Sequence, residues 1–391
     1  MRKTILLLSF TISIHAIVFG QLARIPVQLV DNSLVFIKIK VNNSDSLKFY
    51  FDTGAATTLI DERAASKIGL LPNYEQQVQG AGGNKTYKMA LNQCIRIHDS
   101  IVIDSTHIVI DDLSRLKATL GQNFDGIIGY SVLKKYITKV DFDKHIIELY
   151  TFGTKVDNRA FSELGFSFKN GIPIPQFPIT IELKNGITYT DTVFFDSGAA
   201  LSLLVNTPFK LRNRVTQQVG RTIETQTNNL SSASVQQEAL IASLQIGKFK
   251  FGEHVIGLAS DTVGVSSFDG YLGILGNKII HRFNFIADYS TQKLYFQPNL
   301  YFQTAFEFPV SGMKLKVQDE KVMVASIVTT CDAYRLGIRE NDTILSVNGI
   351  KSMDLSCYRE ILKKDDTNVS IQYRTLEGVA KRIKFKLRRL L

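Results

Sequence analysis

The stretch Phe51-Asp52-Thr53-Gly54-Ala55 occurs a second time in the chain, as Phe195-Asp196-Ser197-Gly198-Ala199. A strand-like apolar run leads into each copy. A downstream segment also repeats, since Phe124-Asp125-Gly126-Ile127-Ile128-Gly129 resembles Phe268-Asp269-Gly270-Tyr271-Leu272-Gly273. Asp52 and Asp125 are 73 positions apart, as are Asp196 and Asp269. A long internal repeat of this kind predicts two similar lobes that each deliver one carboxylate. The Asp of each downstream segment precedes Gly and is interpreted as a turn residue.

The composition is that of an ordinary globular protein with more than one domain. The 391 residues are 45% hydrophobic and 21% charged, and they include 25 Phe and 14 Tyr but no Trp. Short runs of Val, Ile, Thr and Phe between Gly and Asn turns favour a mostly β protein. The net charge of +10 comes partly from residues 381–389, where basic and apolar residues alternate. This pattern is typical of a strand with one face in water, and we expect no nucleic acid partner.

The first twenty residues have the features of a targeting segment. Arg2 and Lys3 precede a largely apolar run, and Gly20 supplies a small residue near its end. These are the parts of a signal peptide. The alternative is a membrane anchor, for which the run is short. We therefore expect residues 1–20 to be cleaved and the protein to be exported to a bacterial periplasm, cell surface or medium, with membrane contact only through an uncleaved segment.

The sequence predicts neither a disulfide framework nor a metal site. Three Cys residues, Cys94, Cys331 and Cys357, are too few for a framework. Cys331 and Cys357 could pair after export, but we favour ordinary buried thiols. The His residues lack metal-ligand spacing, so we expect no metal and no organic cofactor.

Turn signals place the two repeated motifs at equivalent ends of hairpins. The Asn185-Gly186 pair between two apolar runs is a strong hairpin signal, and the second of those runs ends at Asp196. Residues 79–84 read Gln-Gly-Ala-Gly-Gly-Asn and predict a mobile hairpin tip. Residues 221–237 stand at the matching place in the second half but are polar and poor in Gly. Residues 298–309 are interpreted as a linker.

Two facing carboxylates can hydrolyse a peptide bond with water. Carboxylates about 3 Å apart cannot both ionise, so one acts as the base that activates water and the other as the acid. A duplicated fold places identical groups face to face across a pseudo-two-fold axis. Gly54 and Gly198 permit close backbone approach. The hydroxyls of Thr53 and Ser197 can form hydrogen bonds between the lobes and hold the pair rigid.

The paired Asp-Thr/Ser-Gly-Ala motifs, each with a downstream hydrophobic-hydrophobic-Gly segment, resemble those of aspartic proteases. Ala55 and Ala199 make them more similar to retropepsin-like proteases than to pepsins, which usually carry Ser or Thr there. The resemblance covers roughly residues 25–300. It implies that Asp52 and Asp196 are the catalytic pair. It also implies a single-chain version of an enzyme that retroviruses build as a homodimer, so we expect a monomeric catalytic unit.

The same resemblance implies which residues support the pair and cover the substrate. Support is expected from the remaining residues of the two motifs: Thr53, Gly54, Ala55, Ser197, Gly198 and Ala199. The Gly-rich tip resembles the flap of retroviral proteases, so the expected substrate-binding flap is Gly80, Ala81, Gly82 and Gly83. Ser197 keeps the hydroxyl of Thr, which makes that departure mild. The polar segment 221–237 leaves open whether one flap or two cover the substrate.

The tail, residues 308–391, resembles a bacterial PDZ domain through the pattern Ala-x-x-Leu-Gly-Ile and Asp-x-Ile-Leu-x-Val-Asn-Gly between Ala333 and Gly349. Asn341 stands where Gly usually precedes the Asp, and a left-handed Asn can replace it. The segment Gly312, Met313, Lys314 and Leu315 aligns with the carboxylate-binding loop. Its backbone amides would bind a peptide C-terminus while the peptide adds a strand. The alternative is a docking module without a free ligand.

The sequence thus predicts a mostly β chain with a two-lobed, pseudo-symmetric aspartic-protease fold and a small α+β PDZ domain. The expected lobes are residues 21–156 and 157–300, followed by the PDZ domain at 308–391. The expected function is that of an exported aspartic endopeptidase acting on peptides or proteins, with the PDZ domain recruiting substrates or partners. The alternative is a non-catalytic peptide-binding scaffold or chaperone-like adaptor.

Overall fold

The computed structural model describes residues 20–30, 33–80, 83–169, 171–228, 233–262 and 264–391. The chain is mostly β-sheet in these ranges, which confirms the prediction from its short apolar runs. The expected signal peptide lies outside the described residues except for Gly20. None of the helices in the described ranges combines the length and the hydropathy needed to cross a membrane.

The first half of the chain forms one lobe. Its strands are β1 (Gln21–Pro26), β2 (Gln28–Val30), β3 (Leu34–Val41), β4 (Leu47–Phe51), β5 (Thr58–Asp61), β6 (Tyr74–Gly80), β7 (Gly83–His98), β8 (Ile101–Asp111), β9 (Gly126–Ile128), β10 (Ile137–Asp141) and β11 (Ile146–Tyr150). Its helices are α1 (Glu62–Lys67), α2 (Ser114–Leu120) and α3 (Tyr130–Leu133). Helix α1 begins after Asp61, whose carboxylate caps it by accepting a hydrogen bond from the Arg63 N–H at 3.2 Å.

The second half forms a similar lobe. Its strands are β12 (Ser162–Gly165), β13 (Gln176–Leu183), β14 (Thr188–Phe195), β15 (Leu203–Val205), β16 (Thr222–Asn228), β17 (Ala233–Ile246), β18 (Phe249–Phe251), β19 (His254–Leu258), β20 (Gly273–Leu275), β21 (Phe283–Asp288) and β22 (Lys293–Pro298). Its helices are α4 (Thr207–Arg212), α5 (Val215–Gln218), a 3-10 turn (Val265–Ser267) and α6 (Asn277–Ile280). The predicted Asn-Gly hairpin is present between β13 and β14, with Gly186 at φ +87°.

The two lobes repeat one sheet topology. The first sheet has the order β2-β3-β4-β9-β5-β8-β7-β6, and β3 also pairs with β7, which closes it. The second has the order β13-β14-β20-β15-β19-β17-β16, and β13 also pairs with β17. A strand buried on both faces reads as a near-continuous apolar run, and β4 and β14 end in such runs. Both therefore carry their motif out of the middle of a buried sheet.

A third, six-stranded sheet joins the lobes, with the order β1-β11-β10-β21-β22-β12. At its centre β10 pairs with β21, so that Thr138 lies opposite Ala287 and Val140 opposite Phe285. The three strands on each side are counterparts of the three on the other, which places the pseudo-two-fold axis between β10 and β21. The interface between the lobes is thus a continuous sheet, and it fixes the separation of the two motifs.

The register of the strands corrects one element of the sequence repeat. Strand β4 pairs with β9 so that Phe51 faces Ile128, and β14 pairs with β20 so that Phe195 faces Leu275. The counterpart of Gly126 is therefore Gly273, three positions later than the repeat of 73 residues predicts. Asp269 lies instead in a surface turn and forms an ion pair with Arg212 at 2.6 Å. The equal spacing of the two Asp-Gly pairs is a coincidence of sequence.

The tail forms a separate five-stranded antiparallel sheet. Its elements are β23 (Met313–Gln318), β24 (Lys321–Ile327), α7 (Asp332–Arg335), β25 (Thr343–Val347), α8 (Leu355–Leu362), β26 (Asn368–Arg374) and β27 (Ala380–Lys386). The strands follow one another in chain order, so β23 and β27 are the edges. Asn341 has φ +66°, as the left-handed position requires, which confirms that prediction. The sheet and helices enclose a core of their own around Val324, Ile338 and Ile371.

The connection between the second lobe and the tail is held against the protein. The buried Arg282 guanidinium donates hydrogen bonds to the carbonyl oxygens of Tyr301, Phe302 and Thr304. It also stacks on the Phe306 ring, 3.9 Å from the centroid. A cation in contact with three carbonyls and an aromatic face fixes a segment that has no helix or strand of its own. The predicted linker, residues 298–309, is thus packed against the protein, and we call it the strap.

Candidate active site

Asp52 and Asp196 occupy equivalent positions immediately after β4 and β14. The Asp52 N–H donates to the Ile128 carbonyl at 2.9 Å, and the Asp196 N–H donates to the Leu275 carbonyl at 3.0 Å. The last residues of β9 and β20 therefore hold the two turns in the same way. The two carboxyl groups face each other, and each influences the pKa of the other. Protein atoms surround the pair, yet both residues keep partial solvent exposure, as groups at the bottom of a cleft do.

The two glycines of the motifs make this approach possible. A Cβ atom added to Gly198 would lie 2.2 Å from Oδ2 of Asp52, and one added to Gly54 would lie 2.5 Å from Cγ of Asp196. Real Cβ atoms do not come this close to other heavy atoms, so each carboxyl packs directly on the backbone of the opposite motif. The glycines are required here for space and not for an unusual φ.

A reciprocal pair of hydrogen bonds locks the motifs together. The Thr53 N–H donates to Oγ of Ser197 at 3.0 Å, and the Ser197 N–H donates to Oγ1 of Thr53 at 2.9 Å. The Thr53 hydroxyl in turn donates to the Phe195 carbonyl at 2.8 Å. All three bonds are buried, where an unmade hydrogen bond would leave a costly unpaired group. They hold the relative position of the two turns, and with it the separation of the carboxyls.

The backbone donors around the two carboxyls are unequal. Oδ1 of Asp52 accepts from the Gly54 N–H at 2.7 Å. Oδ1 of Asp196 accepts from two N–H groups, those of Gly198 at 2.9 Å and Ala199 at 3.0 Å. Backbone N–H donors stabilise the ionised form of a carboxyl, and the Gly198 N–H contributes to both members of the pair.

The pKa values of the pair follow from burial and from these donors. Burial raises the pKa of Asp52 well above its ordinary value, and the neighbouring charge of Asp196 raises it further, while backbone hydrogen bonds from Gly54 and Gly198 oppose the rise. Burial also raises the pKa of Asp196, but hydrogen bonds from Gly198, Asp52 and Ala199 oppose the rise. The pair therefore shares one proton when the second carboxyl is ionised.

The remaining alanines close the motifs and add no polar side-chain group. Ala55 is buried in a cluster with Phe36, Tyr50 and Phe124, while Ala199 is half-buried. In both motifs the alanine carbonyl accepts a hydrogen bond from the first residue of the helix that follows β9 or β20, Tyr130 in α3 or Asn277 in α6. The two alanines therefore contribute to the geometry of the turns.

Both lobes extend a hairpin from the same place in the sheet. In the first lobe β6 and β7 pair as far as Gly80 opposite Gly83, whereas Ala81 and Gly82 lie outside the described residues. In the second lobe β16 and β17 pair as far as Asn228 opposite Ala233. The polar, glycine-poor segment of the second half is therefore a hairpin as well, which its composition had left open.

The predicted carboxylate-binding loop of the tail begins the edge strand β23. Gly312 has φ +72°, and a Cβ atom there would lie 2.6 Å from Cβ of Cys331, so only Gly fits. The Met313 N–H donates to the Ser311 hydroxyl at 3.3 Å. Lys314 lies near Glu238, with 3.7 Å between Nζ and Oε1. Leu315 is buried in the core of the tail. Met313, Lys314 and Leu315 belong to β23 of the tail sheet.

Further contacts connect the tail to elements of the two lobes. Helix α2 lies against β23. The Arg359 guanidinium donates to the Thr119 carbonyl at 3.3 Å. Ile223, at the base of the second hairpin, is 3% exposed and packs into the core of the tail. Helix α2 was absent from the sequence prediction because it is short and has no side-chain cap.

The described residues contain no cluster of three or more His, Cys, Asp or Glu side chains arranged for a metal ion. All three Cys residues are free: Cys331 is buried, and Cys94 and Cys357 are half-buried. The preferred interpretation of buried thiols therefore holds for Cys331 and is wrong for the other two.

Comparison with known proteins bears on the first lobe. A search among curated proteins found no match. The family model described as aspartyl protease matches residues 37–132, which is less than half of the chain. The matched segment contains Asp52 and the hairpin of β6 and β7, stops within α3, and does not contain Asp196. The match therefore indicates an aspartyl protease type for the lobe that carries Asp52.

Proposed function

We propose that the protein is an aspartic endopeptidase whose catalytic pair is Asp52 and Asp196. The observation that carries this proposal is the packing of each carboxyl on the glycine of the opposite motif, which brings the two carboxyls face to face. A turn Asp placed for structure alone would have no reason to meet its counterpart. The family match of the first lobe supports the same activity.

The unequal donors suggest which carboxyl has which role. Asp196, the ionised member, takes a proton from a water molecule as the water oxygen attacks the peptide carbonyl carbon. Asp52 gives its proton to the carbonyl oxygen, which forms a neutral tetrahedral diol. Asp196 then protonates the amide nitrogen, the C–N bond breaks, and Asp52 recovers its proton from a diol hydroxyl. Water is consumed, an acid and an amine leave, and the pair ends with one proton as it began.

The two hairpins would close over an extended peptide and exclude water from the reaction. Apolar side chains on either side of the scissile bond are the substrate class that the family resemblance implies. We further propose that the protein acts after export, since a segment with the features of a signal peptide precedes the first lobe.

Incubation of the purified protein with a library of extended peptides tests the proposal. We expect cleavage at internal bonds, detected by mass spectrometry of the products, and inhibition by a peptide that carries a secondary hydroxyl in place of the scissile carbonyl. Such an analogue resembles the tetrahedral diol and should bind tightly. Binding of library peptides without any cleavage would instead favour the scaffold function.

The pH dependence of cleavage should reflect the raised pKa values of the pair. Ala55 and Ala199 provide no hydroxyl to stabilise the ionised carboxyls, and burial raises the pKa of both Asp residues. Activity needs one proton on the pair. Because the pKa values of the pair are raised, both limbs of the bell-shaped pH profile lie at higher pH than they would for carboxyls of ordinary pKa. We expect measurable kcat/KM from mildly acidic to near-neutral pH. Activity confined to strongly acidic buffer would contradict this prediction.

For the tail we propose a PDZ-type module that recruits or gates substrates. Its edge strand β23, against which α2 lies, is the place where an added peptide strand would pair once α2 is displaced. The contacts of the tail with α2 and with the base of the second hairpin support a gating role, because the same unit touches elements of both lobes.

Replacing Ile223 by Ala should loosen this contact. Removal of a buried Ile side chain usually costs about 2 kcal/mol or more, and here the loss falls on the docking of the tail. We expect faster hydrogen exchange in both β16 and β23, measured by mass spectrometry. Ile187, which is 39% exposed in the hairpin turn, gives the matched Ile187→Ala control. Equal exchange in the two variants would show that the tail is not held through Ile223.

A further inference from the structure

The pseudo-symmetry of the site is broken by one buried hydroxyl. Tyr50 lies two positions before Asp52, and its counterpart two positions before Asp196 is Phe194. The Tyr50 side chain is 2% exposed and lies on the face of β4 opposite the main core, between Phe36 and Phe124. Its hydroxyl donates a hydrogen bond to the Ser197 carbonyl oxygen at 3.0 Å, across the lobe interface.

The accepting carbonyl belongs to the peptide group that serves the carboxyl pair. Ser197 C=O and Gly198 N–H are the two ends of one planar peptide unit. The Gly198 N–H donates to Oδ1 of Asp196 at 2.9 Å. A chain of hydrogen bonds therefore runs from the Tyr50 hydroxyl through this peptide to the Asp196 carboxylate. A donor on the carbonyl end polarises the unit and makes its N–H a stronger donor.

We propose that Tyr50 is a positioning residue of the pair: its hydroxyl orients and polarises the Ser197–Gly198 peptide, so that the Gly198 N–H binds the Asp196 carboxylate more strongly. The inference rests on the proposed function for its catalytic meaning, whereas the hydrogen-bond chain itself does not. In the other lobe Phe194 packs on Tyr271 and has no hydroxyl to offer. The Tyr50 hydroxyl is thus present in one lobe only, and it strengthens a donor of the Asp196 carboxylate.

The other titratable groups around the pair do not mask the effect of Tyr50 on the pKa of Asp196. Burial raises the pKa of Tyr50 well above its ordinary value, and the charges of Asp52 and Asp196 raise it further. Burial likewise raises the pKa of Tyr289, and electrostatic interactions with Tyr130 and Asp52 raise it further. Both phenols therefore stay protonated throughout the range in which the carboxyls titrate, and Tyr50 remains a donor.

The test is Tyr50→Phe, which removes the hydroxyl and keeps the ring. Loss of the polarising donor should raise the pKa of Asp196, so the acidic limb of the kcat/KM profile should move up by about 0.3 to 0.5 pH unit. On that limb kcat/KM should fall about two- to threefold, while the rate near the optimum changes less.

Tyr271→Phe is the matched control. Tyr271 is also a buried tyrosine whose hydroxyl donates to a backbone carbonyl, that of Val265. It does not contact either Asp, so this variant should suffer a similar loss of stability without a shift of the acidic limb. A general loosening of the protein would shift both variants alike and would overturn the inference.

A second readout separates this inference from the proposed function. Carboxyl carbon NMR of aspartate-labelled protein gives the two apparent pKa values of the pair without any substrate. We expect the lower value to rise in Tyr50→Phe and to stay in place in Tyr271→Phe. A rise in a protein that cleaves nothing would retain the positioning role and refute the protease. An unchanged lower pKa value in an enzyme that cleaves peptides would support the protease and refute the positioning role.

Discussion

Asp52→Asn and Asp196→Asn should each abolish peptide cleavage, with a loss of about 10³-fold or more in kcat. Asn keeps the shape of Asp but can neither take a proton from water nor give one to a carbonyl. The two carboxyls act as one unit, so the double variant should be no less active than either single variant. Product formation from a peptide that the wild type cleaves is the measurement. Unchanged cleavage in either variant would reject the assignment.

The same substitutions should leave the fold intact or make it more stable at neutral pH. The pKa of each Asp is raised in the folded protein. As pH rises from the unfolded-state value toward the folded-state values, the unfolded chain loses these protons first, so stability falls. Asn removes the titration and with it this loss. We therefore expect a Tm at pH 7 equal to or above that of the wild type, which excludes unfolding as the cause of inactivity.

The position of the site could be predicted because short-range sequence patterns around each motif predict the local structure. Alternating and buried apolar runs predict the strands, and Asn185-Gly186 predicts a tight hairpin. The need for Gly54 and Gly198 follows from the approach of two backbones. These signals are short-range, and the structure places the two Asp residues where the duplicated pattern indicates.

The downstream repeat was misaligned because the two similar Asp-Gly segments have different structural roles. In the first lobe the Asp125 carboxylate accepts a hydrogen bond from the Lys48 N–H at 2.8 Å. Leu272 holds the equivalent place in the second lobe, since its N–H donates to the Thr192 carbonyl just as that of Asp125 donates to Lys48. A three-residue difference in the preceding turn moved the Asp-Gly pair to the surface. Only strand register reveals this.

Contacts between distant parts of the chain had no signal in the sequence. Arg282 has the appearance of a surface cation, yet it is 4% exposed and binds the carbonyls of the strap. Ile223 belongs by sequence to the second hairpin but packs in the core of the tail. Tyr50 has the appearance of one more apolar strand residue. Each owes its role to a partner far away in sequence, which patterns of nearby residues do not specify.

Gly198→Ala should be nearly as harmful as loss of a carboxyl, although it adds only one methyl group. The new Cβ would lie 2.2 Å from Oδ2 and 2.4 Å from Cγ of Asp52. Neither side can yield easily, because the Thr53 and Ser197 hydrogen bonds fix both turns. The carboxyls must therefore separate, and a displacement of about 1 Å at reacting groups can cost about 10²-fold in rate.

Gly252→Ala provides the matched control for this variant. Gly252 lies in the same lobe, has no atom within 4 Å of an added Cβ, and does not need a left-handed φ. We expect Gly252→Ala to retain wild-type kcat. Gly198→Ala should lose at least about 10²-fold in kcat and about 1–3 kcal/mol of unfolding free energy, the usual range for overpacking. Full activity in Gly198→Ala would mean that catalysis does not depend on contact between the carboxyls, because the added methyl group occupies the space that this contact requires.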